Sequence, residues 1–574
     1  MFDDCNRLQL RCVNNTIKIH LLSYYNLFIP DLARICEHHL RTTSLEDFTL
    51  LITRRHSDIN SGGIYDIVRL YTAALEKKHT LNFEDMSEIT EDNLHFWTGL
   101  NHTQFNHLIS QIPSLRQLSS SPQLDLGVYL SKIRTGEPSV RLGTTFDLSR
   151  QSVDRKIHFV RNCMLNDFVP LHLGFDHISR SEAINRNRLI PQHIFGNTNA
   201  PKVIAVLDGT YLFVEKSSNF LFQRLSYSLH KYKNLIKPFM IVCTDGYILD
   251  VTGPYNAKTT DAEIMHQILH NHGEPIEDNS FHYFFEHDDI FILDRGFRDA
   301  IPEIELHGYN AHMPPTKSRN ETQLSTEDAN QSRLVTMCRW VVEAINGRFK
   351  RDYKIFRHRI FNRALPHIFE DFKIAAALIN CYQEPYEDSP YTNDFVQIIN
   401  ENIHKPNRLA DYVLEHNINR QRVSFERLDA DDPQLSDFSR LSLEDLIRFS
   451  VGTYHVKMAR SYCSEHLRGT NVFIIERYRH SQQIFEDSND VLIRCMVNSR
   501  HRARTKYYTY VLYNTVLQGR QAIKEHYCSC LHGRRTLGSC THVISILYFL
   551  GCARHEEVFR HPASFLDSIL IDPH

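Results

Sequence analysis

The sequence lacks the features of a membrane or secreted protein. Among its 574 residues, no stretch approaches the roughly 18 uncharged apolar residues that a membrane-spanning helix needs. The first residues, MFDDCNRLQL, have acids where a signal peptide has lysines, and they lack an apolar core. The 13 cysteines are odd in number and scattered, which excludes a disulfide framework. We therefore expect a protein of a reducing compartment, the cytosol or the nucleus, with the nucleus preferred and with no membrane partner.

An excess of charge of one sign is also lacking. Lys and Arg together number 65 and Asp and Glu 68, for a formal net charge of −3. A chain that is basic throughout, as some nucleic-acid binders are, is therefore excluded, although local basic surfaces are not. With 42% hydrophobic and 23% charged residues, the composition is that of a folded protein. At roughly 150 residues per domain, the length predicts about four domains or subdomains.

Changes in residue pattern divide the chain into five regions. Residues 1–90 are mixed in character and indicate no role. Residues 91–165 predict a helical region, and residues 200–382 alternate between strand and helix patterns, as a mixed α/β domain does. Residues 383–450 are acidic and predict a linker or loosely packed helices. Residues 451–574 predict a small α+β domain at the end of the chain.

The helical region has the pattern of a helix-turn-helix. Residues 123–165 predict three helices, separated by turns at 136–138 and 147–149, with Ser149 as N-cap of the third. Residues 126–165 hold seven Lys and Arg against three acids, as a helix region that contacts DNA would. On this evidence alone, a three-helix bundle with a charged face is an equal alternative. The candidate DNA contacts at the start of the third helix are Ser149, Arg150, Gln151, Ser152, Arg155 and Lys156.

Two aspartates follow apolar runs that predict buried strands. Asp208 follows Val-Ile-Ala-Val-Leu, and Asp294 follows Ile-Phe-Ile-Leu. If these strands are neighbours, both carboxylates lie together, which costs free energy unless a cation binds between them. Mg²⁺ prefers such oxygen ligands. The alternative for each acid is that it caps a helix or forms a turn. This structural interpretation is preferred for three nearby acids: Asp245 in a turn, Asp250 on a strand face and Asp261 as a helix N-cap.

A helix predicted over residues 333–351 supplies a third carboxylate. One face of this helix carries Arg339, Glu343, Asn346 and Lys350. We expect the apolar face, which includes Trp340, to pack on the sheet and to aim Glu343 at the two aspartates. Arg339 and Lys350 would then suit phosphate contacts. A solvated charged helix face is the alternative.

These segments resemble DDE-superfamily transposases, and most of all the eukaryotic PIF/Harbinger type. The resemblance runs in order through residues 200–382, in VIAVLDGTYLFVEK, FILDRGF and RWVVEAINGRFKRDYKIF. It implies an RNase H-like mixed sheet with catalytic Asp208, Asp294 and Glu343 holding Mg²⁺ or Mn²⁺. It also implies double-stranded DNA as a partner, often with a separate Myb-like DNA-binding protein, and we further expect a homo-oligomer. Bacterial relatives often have a tyrosine where this chain has Thr336, so that residue's role is not carried over.

A cysteine and histidine pattern near the C-terminus predicts a zinc site. Cys528 and Cys530 are separated by nine residues from Cys540 and His542. Three thiolates and one imidazole suit tetrahedral Zn²⁺ and fill its coordination sphere, so the ion would be structural. The metal loop, residues 526–553, resembles a SWIM zinc finger.

A basic stretch precedes this metal loop. Residues 491–524 contain seven Lys and Arg and no acid. A contact with nucleic acid or an acidic protein is one interpretation. A solvated basic hairpin or a nuclear-import signal is an equal alternative.

Together these features predict a transposase-derived, metal-dependent DNA endonuclease and strand-transfer protein. It would combine a DNA-binding helix-turn-helix, a DDE domain and a structural zinc finger. The first alternative is a catalytically inactive, domesticated transposase that acts as a DNA-binding or protein-interaction adaptor. The second is a SWIM interaction module for which the rest of the chain is a scaffold. The presence of all three carboxylates favours the enzyme.

Overall fold

The computed structural model describes residues 10–13, 15–25, 27–30, 33–36, 61–76, 81–83, 85–197, 199–270, 280–429, 432–466, 474–479, 487–499 and 505–556. The chain forms two compact units. The first comprises Met1–Leu171 and Arg351–His358, and the second comprises His172–Lys350 and Arg359–His574.

The first unit is mainly helical, which confirms the prediction of a helical N-terminal region. A small antiparallel sheet pairs Leu10–Cys12 (β1) with Arg34–Cys36 (β2). The helices, of which the last ends at the unit boundary, are Asn15–Tyr25 (α1), Ser61–Glu76 (α2), Glu91–Thr98 (α3), His102–Ser110 (α4), Pro113–Leu118 (α5), Pro122–Thr135 (α6), Ser139–Phe146 (α7), Arg150–Cys163 (α8) and Val169–His172 (α9).

Helices α6, α7 and α8 are the three helices predicted for residues 123–165. Helix α6 ends at Gly136, whose φ of 72° is in the left-handed region that glycine adopts without strain. The Ser149 hydroxyl accepts a hydrogen bond from the Ser152 backbone N–H, so Ser149 is the N-cap of α8. The centre of α6 is fully buried: Leu126, Val128, Tyr129, Leu130 and Ile133.

The second unit is built on a mixed sheet, as predicted. Its central strand β3 pairs in parallel with β8 and antiparallel with β6. Strand β9 lies parallel to β8, and β7 lies antiparallel to β6. The strands are Ile204–Gly209 (β3), Leu212–Phe213 (β4), Tyr227–Ser228 (β5), Lys233–Cys243 (β6), Ile248–Asn256 (β7), Ile290–Ile292 (β8) and Asn310–His312 (β9).

Thirteen helices are described in this unit, and the longest is α16. Within the described part of the chain, no helix combines the length and the apolar character that crossing a bilayer requires. The helices are Arg180–Asn185 (α10), Leu189–Phe195 (α11), Phe220–Ser226 (α12), Asp261–His270 (α13), Ser280–Phe284 (α14), Ile301–Leu306 (α15), Thr326–Asp352 (α16), Leu365–Tyr382 (α17), Thr392–Asn402 (α18), Arg408–Glu415 (α19), Leu443–Ser450 (α20), Tyr454–His466 (α21) and Thr541–Gly551 (α22).

A second sheet in the same unit contains five antiparallel strands in chain order. Helix α22 is apolar on all sides and is buried among the apolar residues of this part of the unit. The strands are Phe425–Leu428 (β10), Ile474–Tyr478 (β11), Asp490–Asn498 (β12), Lys506–Asn514 (β13) and Ile523–Cys528 (β14).

Of the two interpretations of residues 383–450, a linker or loosely packed helices, the structure has helices, together with one strand. These residues form helices α18 to α20 and strand β10, the edge strand of the second sheet. Of the acids that suggested a linker, Asp429 is exposed and the Glu426 side chain is 46% exposed, whereas Asp431 lies outside the described residues. The apolar residues of the same region supply buried faces: Phe395, Ile399, Leu409 and Val413. The nuclease region and the C-terminal domain therefore belong to one compact unit.

Candidate active site and metal centre

Asp208 and Asp294 lie at the same edge of the mixed sheet. Strands β3 and β8 are parallel neighbours, with Val206 opposite Ile292, and each aspartate lies two residues beyond this pair. Asp208 is 8% exposed. Asp294 caps the helical turn that follows it, because its Oδ1 accepts a hydrogen bond of 2.6 Å from the Gly296 backbone N–H. The strand register thus brings together the two acids that the sequence singled out.

The charge of Asp208 is poorly compensated. Burial raises the pKa of the Asp208 carboxyl to about 8, against the opposing effect of the Arg339 guanidinium. The negative charges of Glu343, Asp294 and Asp261 raise this pKa further. Near neutral pH such a group holds a proton unless a cation lies close by.

Helix α16 brings Arg339 between the acids. The Arg339 Nη2 donates to Glu343 Oε1 at 2.8 Å, and Arg339 Nη1 lies 3.8 Å from Asp208 Oδ1. Asn346, one turn further on, has its Nδ2 3.5 Å from Asp208 Oδ2. The Glu343 side chain is 57% exposed and faces the guanidinium. Its carboxylate is therefore near the aspartates but held by Arg339.

Trp340 differs from the prediction for this helix. It was expected on the apolar side, yet it is 49% exposed and packs edge-on against Tyr386, with ring centroids 5.2 Å apart. The buried face of α16 consists instead of residues such as Val341, Val342, Ile345 and Phe349.

Asp261 is a fourth carboxylate that the sequence interpretation assigned to a helix cap. The cap is Thr260: its hydroxyl accepts from the Glu263 N–H at 3.1 Å, and Glu263 accepts from the Thr260 N–H at 2.6 Å. Asp261 is thereby free to point elsewhere. A Cβ built on Gly296 would lie 2.7 Å from Asp261 Oδ2 and 2.8 Å from Asp294 Oδ1. The glycine after Asp294 thus makes room for both carboxylates.

The Asp261 side chain is 17% exposed and incompletely hydrogen-bonded. Among the described residues, its Oδ1 accepts no hydrogen bond, although the Lys237 ammonium lies 3.8 Å away. Burial raises the pKa of this carboxyl, Lys237 lowers it and Asp294 raises it. The capping box Thr260-x-x-Glu263 was the signal that could have identified Asp261 from the sequence.

Carboxylate oxygens are suitable ligands for a hard divalent cation, but the oxygens of these acids are not all close to one another. Within the described part of the chain, the only group of three or more candidate ligands with all atoms within 4.8 Å is the cysteine and histidine group. The buried Asp208 with its raised pKa and the orphaned Asp261 Oδ1 are the features that a cation would satisfy.

Two lysines and Tyr211 lie near these acids. The Lys231 ammonium is 5.2 Å from the centroid of the Tyr211 ring. Lys350 is half-buried; burial and Lys231 lower its pKa, whereas Glu343 raises it. Lys231 belongs to residues 216–233, a stretch with four Lys and Arg and no acid, which we call the basic–apolar segment. Its most exposed apolar side chains are Phe220 (88%), Leu221 (58%), Leu229 (76%) and Tyr232 (78%).

The four predicted zinc ligands come together. The ligand atoms of Cys528, Cys530, Cys540 and His542 all lie within 4.8 Å of one another, and the three cysteines are buried. The loop between the pairs turns back tightly, since a Cβ on Gly533 would lie 1.8 Å from the Cys528 carbonyl oxygen. Three thiols and one imidazole in this arrangement fit Zn²⁺.

The predicted DNA contacts on α8 divide into two groups. Ser149, Arg150, Gln151 and Arg155 are exposed, and Arg150 lies 3.5 Å from Asp154. Lys156 instead forms an ion pair with the buried Asp125 of α6. Lys156 therefore contacts the helix bundle, and its contact with DNA stays a prediction.

The basic stretch at 491–524 is also partly internal. Arg494, with 3% of its side chain exposed, donates to Glu476 at 2.7 Å and lies 3.6 Å from the Phe425 ring centroid. Lys524 forms an ion pair of 3.2 Å with Asp490. Three members of the stretch lie outside the described residues: Arg500, Arg502 and Arg504.

Comparisons with known proteins assign a family to part of the chain. The family model for DDE superfamily endonucleases matches residues 207–380, a range that contains Asp208, Asp261, Asp294 and Glu343. Among solved structures, a Mos1 transposase paired-end complex with left transposon end matches at 13% identity. That match covers 60% of this chain and 96% of that one, with a TM-score of 0.13. The comparison with curated proteins gives no match. The predicted resemblance to the DDE superfamily is confirmed for residues 207–380, which match its endonuclease domain.

Proposed function

We propose that this chain is a transposase-derived DNA endonuclease of the PIF/Harbinger type, dependent on Mg²⁺ or Mn²⁺. Its DDE domain would cut double-stranded DNA, and the freed 3′-hydroxyl would be joined to a target strand. The observation that carries the proposal is the pair of aspartates at the ends of adjacent parallel strands, one of them buried with its pKa raised to about 8. A buried acid with a raised pKa is typical of a site that binds a cation or transfers a proton, whereas an acid that contributes only to solubility is exposed.

The chain's own residues would hold the cation in specific roles. A bound divalent ion supplies Lewis-acid chemistry and water activation for phosphodiester cleavage. Asp208, Asp261 and Asp294 would hold it, because all three lie at the same sheet edge and Asp261 has an oxygen without a hydrogen bond. Glu343 would join these three acids as a ligand once Arg339 no longer bonds its carboxylate.

Arg339 is placed to make that change depend on DNA. It now bonds Glu343 at 2.8 Å and lies 3.8 Å from Asp208. A DNA phosphate competes well for a guanidinium, since charge-assisted bonds to phosphate are strong. Phosphate binding at Arg339 would release the Glu343 carboxylate beside the aspartates.

The basic–apolar segment and Lys350 would guide DNA to this site. Lys350 interacts electrostatically with Glu343 and with Lys231. Lys231 also lies over the ring of Tyr211, which interacts with Asp208, Asp261 and Asp294. Lysines bind backbone phosphates, and exposed aromatic residues such as Phe220 and Tyr232 give bases a surface on which to stack. This combination suits DNA that is partly unpaired at the cleavage site.

The remaining modules support the same function. The exposed face of α8, with Arg150, Gln151 and Arg155, would bind duplex DNA as the second half of a helix-turn-helix. The cysteine and histidine group would hold a structural Zn²⁺ in a SWIM-type finger. A nuclear location, a Myb-like DNA-binding partner and a homo-oligomer complete the proposal.

DNA cleavage by the purified protein tests this function. Duplex DNA should be cut with Mg²⁺ or Mn²⁺ and left intact without them. Asp208→Asn should abolish cleavage but leave DNA binding intact, since it removes one charge and keeps the shape. Asp299→Asn is the matched control, because Asp299 lies near Asp294 in sequence but has its side chain 75% exposed.

Two results would overturn the proposal. Cleavage that persists without divalent ions, or in Asp208→Asn, would exclude the carboxylate site. DNA binding without any cleavage in either metal would instead support the inactive adaptor.

A further inference from the structure

The loop between the zinc ligands packs against, and is hydrogen-bonded to, the helix that carries Arg339 and Glu343. We call residues 528–542 the zinc loop. Its partner is the first part of α16 together with the residues just before that helix. These two stretches are about 200 residues apart in sequence and meet through hydrogen bonds from Gln323 and Asn330 and through buried apolar contacts.

Gln323 binds the backbone of two ligand residues. Its Nε2 donates to the carbonyl oxygens of Cys528, at 2.8 Å, and Cys530, at 2.6 Å. Its Oε1 accepts from the Tyr527 hydroxyl at 2.8 Å. The next backbone N–H, of Leu324, donates to the Leu531 carbonyl at 3.1 Å. The position of this segment therefore follows the position of the metal ligands.

Asn330 fixes the other side of the loop. This side chain is 1% exposed. Its Oδ1 accepts from the N–H groups of Thr536 and Leu537, both at 2.9 Å. Its Nδ2 donates to the Thr536 hydroxyl and to the Ile403 carbonyl, each at 2.9 Å. An amide has two donors and can accept two bonds, so this side chain is fully used.

Apolar contacts continue the attachment along α16. Leu537 of the zinc loop is fully buried in a cluster that includes Leu334 and Met337. Residues 330, 334 and 337 are one helical face, since they follow a spacing of i, i+4 and i+7. Arg339 follows two residues after Met337. The attachment thus ends where the candidate active-site residues begin.

We propose that metal binding by Cys528, Cys530, Cys540 and His542 positions helix α16, so that the nuclease site depends on the zinc loop. The zinc loop contains only two large apolar residues, Leu531 and Leu537, so it has little means of ordering itself without the metal. Loss of the metal would release the Gln323 and Asn330 bonds and loosen Arg339 and Glu343. Gln323 and Asn330 are positioning residues in this scheme. The effect on cleavage rests on the proposed function, whereas the effect on the helix does not.

The fluorescence of Trp340 measures the helix directly. The chain has two tryptophans, so Trp97→Phe leaves Trp340, beside Arg339, as the sole reporter. Zinc content is measured first by elemental analysis. A zinc-selective chelator, with Mg²⁺ in excess, should then shift the Trp340 emission and increase its quenching by acrylamide. Added Zn²⁺ should restore both signals.

Variants that separate the loop from the helix sharpen the test. Gln323→Ala and Asn330→Ala should still bind one Zn²⁺ but show the Trp340 signal of the metal-free protein. Their kcat for DNA cleavage should fall by about tenfold or more with little change in KM, because misplacement of about 1 Å has effects of that size. Glu327→Gln is the matched control, since Glu327 is an exposed residue of the same helix. It should behave like the parent.

The outcomes are distinguishable. An unchanged Trp340 signal after zinc removal overturns the proposal, as does a rise in KM alone, which would assign the zinc loop to DNA binding. If zinc removal alters Trp340 but no variant ever cleaves DNA, the positioning role stands and the proposed nuclease function fails. If Asn330→Ala does not fold, Gln323→Ala, which lies at the partly exposed end of the attachment, still decides the question.

Discussion

Asp208 and Asp261 show how neighbours decide the role of a single acid. Asp208 is buried and Asp261 partly buried, burial raises the pKa of both carboxyls, and both interact with Asp294. Asp245 is buried as well, yet it accepts a hydrogen bond of 2.8 Å from Arg186 and one of 3.0 Å from the Tyr247 N–H. That acid is satisfied as a turn former, as the sequence predicted. Among the described residues, Asp261 Oδ1 accepts no hydrogen bond, and the Asp208 carboxylate has only long contacts with Asn346, at 3.5 Å, and Arg339, at 3.8 Å. These two acids are therefore the ones that remain for a cation.

The raised pKa of Asp208 predicts a pH-dependent stability in the metal-free protein. The pKa rises from 3.8 in the unfolded chain to about 8 in the fold, so folding favours the protonated form. The resulting contribution to stability is present below pH 4 and is lost as the pH rises through 8. Asp208→Asn removes this titration. We expect this variant to lose less stability than the parent between pH 5 and 9, measured by thermal unfolding without metal.

Thermal unfolding in the presence of Mg²⁺ completes the comparison of the parent with Asp208→Asn. A cation favours the ionised carboxylate, so Mg²⁺ should raise the Tm of the parent at pH 8 but raise that of Asp208→Asn little. Asp299→Asn should follow the parent. Identical pH profiles for the parent and Asp208→Asn would show that Asp208 is not the buried acid described above.

At the scale of helices and strands, the sequence predicted those elements whose position depends on neighbouring residues in the chain. The apolar runs before Asp208 and Asp294 predicted β3 and β8, and Ser149 predicted the start of α8. The inward position of Lys156 could not be predicted, because it depends on the buried Asp125, 31 residues earlier on another helix. The second role of Asp261 depends in the same way on strands β3 and β8. Such long-range pairs leave no periodic signal in the sequence.

The two groups of basic residues on α8 predict different effects of substitution. Arg150→Ala with Arg155→Ala should weaken duplex binding without loss of stability. The slope of log affinity against log salt concentration should fall by about 0.9 for each DNA phosphate that these arginines no longer neutralise. Lys156→Ala should instead lower the free energy of unfolding by roughly 1–3 kcal/mol. It removes the cation paired with the buried Asp125, which among the described residues keeps only the hydrogen bond from the Ser119 hydroxyl. Titrations of labelled duplex DNA at several salt concentrations, together with urea unfolding, measure both effects.

A charge-matched control accompanies this pair. Arg420→Ala with Arg422→Ala removes two exposed positive charges from the second unit and should leave the salt dependence unchanged. If the α8 double variant also keeps its salt dependence, then α8 is a bundle helix that does not bind DNA.

At the scale of the whole molecule, the sequence suggested separate domains at 200–382 and 451–574, whereas in the structure both regions belong to the second compact unit. Regular spacing identified the four metal ligands, but it did not show that Gln323 and Asn330 join their loop to α16. Acidic composition suggested a linker at 383–450, whereas those residues supply the carbonyl of Ile403 to Asn330 and the edge strand β10. A substitution such as Cys540→Ser is therefore expected to disturb the nuclease domain as well as its own loop. Composition alone does not reveal such long-range packing.

Binding of Mn²⁺ to the carboxylate site is the most direct test of the central claim. Electron paramagnetic resonance of Mn²⁺ at pH 8, on zinc-loaded protein, gives its affinity without DNA or turnover. The account predicts saturable Mn²⁺ binding that is weakened by about tenfold or more in Asp208→Asn and in Asp261→Asn, since each removes a carboxylate ligand. Asp299→Asn should bind as the parent does. Equal Mn²⁺ affinity in all four proteins, or none in any, would contradict the assignment of this sheet edge as a metal-dependent nuclease site.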